Sequence, residues 1–289
     1  MIEKEITLFH AKAVNEILKK SKVNIDFIGF HGQTIFHNAR EKISKQLGDG
    51  KLLSKITKKT VVYDFRQNDL KNGGEGAPLT PIFHKMLAKK LNLKNVTFIN
   101  IGGIINETTI SDDGYFHAAD VGPGMCLIDK WIRINSKKKY DDKGKIAKTG
   151  KINKKILNKA RKNYIILNNK YIYKKAFEPS FDIKNFEDLF NISHAKFLKG
   201  SSLKDGAATL TEFTVRILDE KFQIVREGVE PDHVFILCGG GRKNNFLVEK
   251  IYESWIFRTI RLIDKYGIDG DFIESQAFAY LAIRSYLKL

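Results

Sequence analysis

Four short glycine-rich segments follow or interrupt strand-like runs, and their spacing suits the binding of anionic groups. They are FHGQT, NIGGIIN, DVGPGM and LCGGGRKN. Glycine lets a ligand approach the main chain and leaves peptide N–H groups for anionic oxygens, and a helix that begins next adds a favourable dipole. Together they favour a phosphate-handling protein, although any one of them is also an ordinary tight turn. None matches G-x-x-x-x-G-K-[ST] or G-x-G-x-x-G, so neither a P-loop nor a Rossmann site is supported.

Asp120 is the acidic residue that precedes Gly-Pro-Gly at the end of the extended run FHAAD. A carboxylate at the carboxyl end of a strand lies where α/β proteins bind ligands, and it can accept a proton from a hydroxyl or a water as a general base. An Asx-type turn residue would have the same position, and spacing alone leaves both interpretations open. Asp129, nine residues later in a helical segment, is either a surface charge or a partner of such a site.

Polar candidates also occur outside the glycine segments. His31 and Gln33 follow an apolar strand and suit a sugar or hydroxyl group, or they are ordinary loop residues. Arg66 could hold a carboxylate or phosphate with two hydrogen bonds, or form a surface ion pair with a neighbouring aspartate. Glu274, in the final apolar helix, faces either a cleft or solvent. His31 and His37 do not have the spacing of metal ligands, so we expect no metal site made by the protein.

Alternating helical and extended segments must position these groups. Apolar residues recur at helical spacing in HAKAVNEILKK, LTPIFHKMLAKKL, GMCLIDKWIRI, DGAATLTEFTVRILDEKFQ and FIESQAFAYLAIRSYL, whereas VNIDFIGF, TVVYDFR, VTFINIGGIINETTI, GYFHAAD and HVFILC are typical of strands. NIGGIIN predicts two strands joined by a tight turn. The Lys/Asn-rich part from Asn135 to about Lys175 is predicted to be a helical linker or a surface excursion. The pattern as a whole indicates an α/β architecture.

Composition narrows the class of protein. The chain has 289 residues, a formal net charge of +17 and two cysteines far apart, so it has room for one large domain or two lobes and no disulfide framework. We expect a cytoplasmic protein without a signal peptide or membrane-spanning segment. The positive charge comes mostly from lysines spread along the chain, which favours a compositional bias or an anionic small substrate over a nucleic-acid partner.

The motifs in their order resemble the anhydro-N-acetylmuramic acid kinase family, sugar kinases of the hexokinase/Hsp70/actin superfamily. The matching segments are GFHGQTIFH, VVYDFRQNDLKNGGEGAPLTPIFH, NIGGIIN, DVGPGMCLIDKW, YDDKGKIAKTGKIN, DGAATLTEFT, LCGGGRKNN and FIESQAFAYLA. The resemblance implies a two-lobed actin/hexokinase-like, ribonuclease H-like α/β fold. Residues 1–93, completed by the C-terminal helix 271–289, would form a first lobe truncated at its amino terminus, and residues 94–270 the second lobe.

The same resemblance assigns roles to individual residues. Asp120 matches the catalytic aspartate of the family's D-T-G-P-G-N motif, which activates a water that opens the anhydro ring before the freed O6 takes the γ-phosphoryl group of ATP, with Mg²⁺. The sugar is implied to contact His31, Gln33, Arg66 and Glu274. The nucleotide is implied to lie against seven glycines. Gly102 and Gly103 would border its phosphates, Gly239, Gly240 and Gly241 its adenosine, and Gly122 and Gly124 are assigned to the nucleotide as a whole.

Some segments depart from the family pattern. MIEKEITLFHAKAV does not resemble the family's M-S-G-T-S-L-D-G phosphate loop, and Val121 and Met125 replace the Thr and Asn of D-T-G-P-G-N. The family's P-K-S-T-G-R-E segment corresponds here to PSFDIKNF. The sequence therefore leaves two hypotheses. The chain is a kinase that acts on an anhydro amino sugar and ATP in cell-wall recycling, or it is a truncated or degenerate relative that binds without catalysis. A homodimer is a possible assembly.

Overall fold

A computed structural model describes residues 1–39, 41–174, 186, 200–223, 232–254 and 259–289. Its helices are α1 (Ile2–Lys20), α2 (Gly50–Thr57), α3 (Phe65–Lys71), α4 (Pro81–Lys90), α5 (Cys126–Asn135), α6 (Lys145–Lys148), α7 (Lys154–Lys174), α8 (Leu203–Gln223), α9 (Asn245–Ser254) and α10 (Ile273–Leu287). Its strands are β1 (Phe27–Phe30), β2 (Gln33–Asn38), β3 (Ile43–Leu47), β4 (Thr60–Tyr63), β5 (Val96–Ile101), β6 (Ile104–Ile110), β7 (Phe116–Pro123), β8 (Val234–Cys238) and β9 (Thr259–Leu262). The PSFDIKNF segment lies outside the described residues, apart from Phe186.

The described chain divides into two compact units. Met1–Phe83 and Phe272–Leu289 form the first unit, and His84–Asp271 form the second. The expected α/β class is confirmed, because strands and helices alternate along both units. The lobe boundaries expected from the resemblance, at residues 93/94 and 270/271, stay a prediction.

The first unit is built on the parallel pair of β1 and β4, with α10 packed against both strands. Gly29 explains how closely α10 approaches, because a Cβ at this position would lie 2.5 Å from the carbonyl oxygen of Phe278. Phe278 and Ala282 of the helix are buried with Phe65. The first unit is therefore held together by residues from opposite ends of the chain. The antiparallel hairpin of β2 and β3 was not expected from the sequence.

The second unit contains a five-stranded sheet in the order β7-β6-β5-β8-β9. Strand β6 runs antiparallel to both of its neighbours, whereas β5, β8 and β9 are parallel. When the five strands are numbered 1 to 5 along the second unit, starting at β5, their order in the sheet is 3-2-1-4-5. This is the ribonuclease H-like arrangement. Strand β5 is almost completely buried, as a central strand covered on both faces should be. The strand pair predicted for NIGGIIN is confirmed as β5 and β6.

Helix α7 corrects the expectation for the Lys/Asn-rich region. Leu157, Ala160 and Tyr164 of this helix are buried in the same core as Phe213 of α8. They recur three and four positions apart, which places them on one face of the helix, while the lysines occupy the other positions. The region from Lys154 to Lys174 is thus a core helix of the second unit rather than a linker or a surface excursion. Within the described ranges, no helix is both long enough and apolar enough to cross a membrane.

His84 is a fully buried titratable group in the second unit. It is 3% exposed, its ring stacks on Phe98 with centroids 4.8 Å apart, and its Nδ1 lies 2.8 Å from the hydroxyl oxygen of Thr108. Burial lowers its pKa from 6.5 to about 4. Because unfolding returns this pKa towards its ordinary value, the unfolded chain binds one more proton between these two pH values.

We therefore expect acid to destabilise the protein through His84. Its contribution is complete above about pH 6.5 and is lost as the pH falls towards 4, so the free energy of unfolding should drop by about 2 kcal/mol from this source between pH 7 and 5. Urea unfolding of the chain and of His84→Asn, which keeps a polar group near Thr108 but does not titrate, measures the effect. Parallel pH profiles for the two proteins would contradict the expectation.

Candidate active site

A cavity of about 720 Å³ in the second unit brings two of the glycine segments together. Gly102 and Gly103, in the turn between β5 and β6, form part of its wall. Gly240 and Gly241, which begin the short 3-10 turn after β8, form another part. Four of the seven glycines predicted to contact a nucleotide therefore line one cavity. The two pairs are more than 130 residues apart in the chain.

The start of α5 is tied to the turn at Gly102 and Gly103. The amides of Gly124 and Met125 donate to the carbonyls of Gly103 and Gly102, each at 2.9 Å. A Cβ on Gly124 would lie 2.4 Å from the carbonyl oxygen of Gly102, so only glycine allows this approach. Gly124 thus shapes the turn and is not among the residues of the cavity wall.

Gly122 and Gly239 also act through the backbone rather than as cavity wall. Gly122 has φ +157°, and a Cβ there would lie 2.9 Å from Ile217 Cγ2 and 3.1 Å from the Tyr164 hydroxyl. Gly239 has φ +78°, and a Cβ would lie 2.3 Å from Asn100 Oδ1. Both positions therefore require glycine for packing. Their predicted contact with a nucleotide stays a prediction.

Arg242, which also lines the cavity, holds the glycine turn after β8 in place. Its side chain is 4% exposed and donates to Asp264 at 2.8 and 3.1 Å, to Asp271 at 2.9 Å and to the carbonyl of Gly239 at 3.1 Å. The hydrogen bond to Asp264 is the main reason that the pKa of Arg242 is raised, and the same bond lowers the pKa of Asp264. Bidentate arginine pairs are geometrically demanding, so the turn is held in one orientation.

Asp120 lies within β7 and not at its end, because the ladder with β6 continues as far as Pro123. The register shifts between Ile105 and Asn106, and at this irregularity the side-chain amide of Asn106 donates to Asp120 Oδ1. The sequence-based placement of Asp120 at the carboxyl end of its strand is therefore wrong, since the pairing with β6 extends β7 as far as Pro123. Asp120 is half-buried and is not among the residues that line the cavity.

Tyr164 supports the strand behind Asp120. Its hydroxyl donates to the carbonyl oxygen of Val121, and the ring is 5% exposed. Burial raises the pKa of this hydroxyl, and the charges of Glu220 and Asp120 raise it further, so Tyr164 remains a hydrogen-bond donor at neutral pH. Helix α7 thus holds the peptide next to Asp120.

Asp129 and Asn244 contribute polar atoms to the cavity region that lack partners. Among the described residues, Asp129 Oδ1 and Asn244 Nδ2 are the two buried side-chain polar atoms without a hydrogen bond, and both residues line the cavity. Asn244 uses its oxygen to cap α9, accepting from the amide of Leu247 at 3.0 Å. Burial raises the pKa of Asp129 to about 6, with Arg133 opposing and Asp141 reinforcing this shift.

In the first unit the structure brings together His31 and Arg66. Arg66 Nε donates to His31 Nε2 at 2.9 Å, and His31 Nδ1 donates to the carbonyl of Gly32 at 2.9 Å. Both ring nitrogens are therefore engaged. Burial, helped by the charge of Arg66, lowers the pKa of His31 to about 4, so the ring is neutral at pH 7. His31 orients Arg66, a role that the sequence did not suggest.

Arg66 keeps donors for a ligand. Its Nη1 donates to the carbonyl of Gly76 at 2.7 Å, so two of the five guanidinium N–H groups are used within the described chain. Burial lowers the pKa of Arg66 and the charge of Glu274, at the start of α10, raises it, which places the two groups within electrostatic range. Gln33 is exposed on β2. The structure thus brings His31 and Arg66 into contact, leaves Glu274 exposed but within electrostatic range of Arg66, and leaves Gln33 on the hairpin.

Asp69 is a residue of this region that sequence reasoning treated only as a neighbour of Arg66. Its Oδ2 accepts from the amide of Gly76 at 2.7 Å, and a Cβ on Gly74 would lie 2.2 Å from the same carboxylate. The loop NGGEGAP therefore curls around Asp69 and presents the Gly76 carbonyl to Arg66. The signal in the sequence was the run of three glycines within four residues, Gly73 to Gly76. No group of three or more His, Cys, Asp or Glu side chains in the described ranges is placed to hold a metal ion.

The fold and the cavity define an α/β protein of the ribonuclease H-like type in which two glycine turns line one cavity. The family model described as anhydro-N-acetylmuramic acid kinase matches residues 1–289. An anhydro-N-acetylmuramic acid kinase of Pelagibacter ubique is 48% identical over 295 residues, which covers 99% of this chain and 74% of that protein. The protein of the same name from Rhizobium etli is 36% identical, over 98% of this chain and 74% of its own length.

The chain belongs to the anhydro-N-acetylmuramic acid kinase family. It is accordingly an enzyme of the sugar kinase class, as the motifs predicted. Among solved structures, the activator of the 2-hydroxyisocaproyl-CoA dehydratase from Clostridium difficile, with bound ADPNP, is similar with a TM-score of 0.39 and 16% identity, over 70% of this chain and 67% of that one.

Proposed function

We propose that the protein uses ATP and water to convert 1,6-anhydro-N-acetylmuramic acid into N-acetylmuramic acid 6-phosphate. The observation that carries the proposal is the convergence of Gly102, Gly103, Gly240 and Gly241 on one cavity in a member of this kinase family. Backbone amides in such turns suit the phosphates of a nucleotide. The names of the relatives support the anhydro sugar as the second substrate.

Asp120 is proposed as the general base. It takes a proton from a water whose oxygen bonds to the anomeric carbon, and the bond between that carbon and O6 breaks. O6 then bonds to the γ-phosphorus of ATP, ADP leaves, and Asp120 later releases its proton to solvent. Asn106 supports this role because its amide holds Oδ1 of Asp120 in one orientation. A base that is already oriented needs less reorganisation in the transition state.

Arg66 is proposed as a sugar-binding residue that His31 positions. The substrate carries a carboxylate on its lactyl group, and a guanidinium with unused N–H groups suits such a group. Glu274 offers acceptor oxygens for sugar hydroxyls. Gln33 is also proposed to contact the sugar, because the family resemblance implies this contact.

Mg²⁺ is proposed to enter with the nucleotide. The described residues offer no cage of acidic or imidazole ligands, and Mg²⁺ in kinases is bound largely by substrate phosphates and water. When bound, it would neutralise charge on the phosphates. A cytoplasmic location and a homodimer stay predictions.

The proposal is tested by incubating the protein with ATP and the anhydro sugar in water enriched in ¹⁸O. We expect ADP release that depends on the sugar, and a sugar phosphate that carries the label on the sugar but not on the phosphate. ADP release without a sugar phosphate, or a label on the phosphate, would contradict the proposed reaction.

A relative that binds without catalysis is the second candidate, and it is favoured by Val121 and Met125. Val121 is 2% exposed and apolar, and Met125 lines the cavity where the family motif has an amide side chain. This candidate predicts nucleotide binding by calorimetry with no sugar phosphate formed. The labelling assay separates the two functions.

Replacing Arg66 should affect the sugar and not the nucleotide. We expect Arg66→Ala to raise the KM for the anhydro sugar roughly 10- to 100-fold, the size expected for a lost charge-assisted contact, with the dissociation constant for ADP unchanged. Lys71→Ala is a matched control that removes one positive charge from the exposed end of the same helix. An unchanged KM in Arg66→Ala would remove Arg66 from the proposed site.

A further inference from the structure

The wall of the nucleotide cavity contains polar atoms whose pairing is incomplete. Asp129 Oδ1 and Asn244 Nδ2 have no hydrogen-bond partner among the described residues, and both residues line this cavity. Asn244 is 3% exposed. Buried polar groups are nearly always paired, because an unpaired one destabilises the fold. Because both atoms belong to residues of one cavity, their lack of partners indicates that a bound ligand supplies the missing hydrogen bonds.

Asp129 lies beside the turn proposed to hold phosphates. Its amide donates to the carbonyl of Met125 at 2.8 Å, and the amide of Met125 donates to the carbonyl of Gly102 at 2.9 Å. Asp129 is therefore one helical turn away from the residue that is tied to the glycine turn. All three residues line the cavity.

A phosphate group at this turn would bring negative charge close to a carboxyl. In a cavity from which the ligand has displaced water, two nearby anions repel strongly, and the carboxyl is more stable in its protonated form. A protonated carboxyl has one O–H donor, and a phosphate oxygen is a strong acceptor for it. Repulsion is thereby replaced by a hydrogen bond.

We propose that Asp129 takes up one proton from solvent when a nucleotide binds and donates a hydrogen bond to a phosphate oxygen. The inference rests on the proposed nucleotide site and deepens it. Nucleotide affinity would then be linked to pH, with tighter binding at lower pH and progressive weakening above pH 6.

The electrostatic surroundings favour Asp129 over the other acids of the cavity. Burial raises the pKa of Asp129 to about 6, so at pH 7 about one-tenth of it is protonated before the ligand arrives. The pKa of Asp142 is lowered by Lys145, and that of Asp264 by Arg242, so both remain ionised. Both carboxylate oxygens of Asp141 accept backbone amides, at 2.8 and 2.9 Å.

Two charged neighbours of Asp129 shift its pKa in opposite directions. Arg133, on the same helix, lowers its pKa, and Asp141, from the neighbouring turn, raises it. Tyr140 also lines the cavity. The charged side chains of the cavity are Asp141, Asp142, Lys143, Arg242, Lys243 and Asp264.

Calorimetry with ADP tests the inference without any need for turnover. Binding is measured at pH 7 in buffers of different ionisation enthalpy, which gives the number of protons taken up. We expect the wild-type protein to take up at least about half a proton more than Asp129→Asn, since the free carboxyl is mostly ionised at this pH. The comparison between the two proteins subtracts the titration of ADP itself.

Three variants make the result specific. Asp129→Asn keeps a donor without a charge, so it should bind ADP roughly tenfold more tightly than the wild type at pH 8 and with similar affinity at pH 5.5. Asp129→Glu should retain proton uptake. Asp142→Asn removes another carboxylate of the same cavity and should leave the proton count unchanged, and thermal unfolding checks that each variant is folded.

The outcomes separate this inference from the proposed function. Equal proton uptake by wild type and Asp129→Asn, or proton release by the wild type, overturns the inference while the nucleotide site stands. Weaker ADP binding by Asp129→Asn at every pH also overturns it, because the ionised carboxylate would then be the group required. Absence of ADP binding by the wild type overturns the nucleotide site and this inference together.

Discussion

Asp120→Asn should lower kcat by about 1000-fold, within the range by which a positioned general base accelerates proton transfer. The replacement keeps the size of the side chain and an oxygen that can accept from Asn106, but an amide cannot take the proton of the attacking water. The measurement is initial-rate formation of sugar phosphate with the sugar and ATP at saturation. The dissociation constant for ADP and the unfolding midpoint should stay at wild-type values.

Asp113→Asn provides a matched control for this experiment. Asp113 is an exposed aspartate in the turn before β7, where it accepts from the amide of Tyr115 at 2.9 Å. The control should keep wild-type turnover. Wild-type turnover in Asp120→Asn would defeat the assignment of the base, whereas a loss of turnover that accompanies unfolding would be seen in the midpoint.

Gly239→Ala should lower the free energy of unfolding by about 3 kcal/mol, the sum of a left-handed backbone penalty and an overpacked contact. Gly239 has φ +78°, and the added Cβ would lie 2.3 Å from Asn100 Oδ1 and 2.8 Å from the carbonyl oxygen of Ile101. Because backbone atoms of β5 cannot give way, the turn itself must move. We also expect ADP affinity to fall at least roughly tenfold, since the displaced turn no longer matches the adenosine proposed to lie against it.

Gly240→Ala is the control for the stability effect. A Cβ on Gly240 has no heavy atom of the described chain within 4 Å, and the residue is not in the left-handed region. Its unfolding free energy should change by less than about 0.5 kcal/mol, as for an unstrained surface substitution. Urea unfolding measures both variants, and equal destabilisation of the two would show that the strain at residue 239 has been misjudged.

The sequence predicted the elements that depend on local patterns. Alternation and turn residues gave β5 and β6 around NIGGIIN, and helical spacing gave α5, α8 and α10. The role of the Lys/Asn-rich region was misjudged because, in the described part of α7, the three buried residues are outnumbered by lysines at exposed positions. The hairpin of β2 and β3 was missed because its strands alternate weakly and expose Ile35 and Phe36.

The site was predictable in its residue types but not in its pairings. The glycines of two turns were correctly placed on loops, yet their convergence on one cavity depends on the parallel pairing of β5 with β8. His31 looked like a direct ligand, and its engagement by Arg66 follows from a contact between residues 35 positions apart. The three carboxylate partners of Arg242 could not be predicted from the sequence, because they lie more than 20 residues downstream.

The packing of α10 on β1 has a consequence for how the protein emerges from the ribosome. Gly29 is synthesised about 250 residues before Phe278, the residue whose carbonyl it meets. The second unit is continuous in sequence and can acquire its native contacts while synthesis is still in progress. The first unit, by contrast, leaves the face of β1 at Gly29 uncovered until α10 has been synthesised.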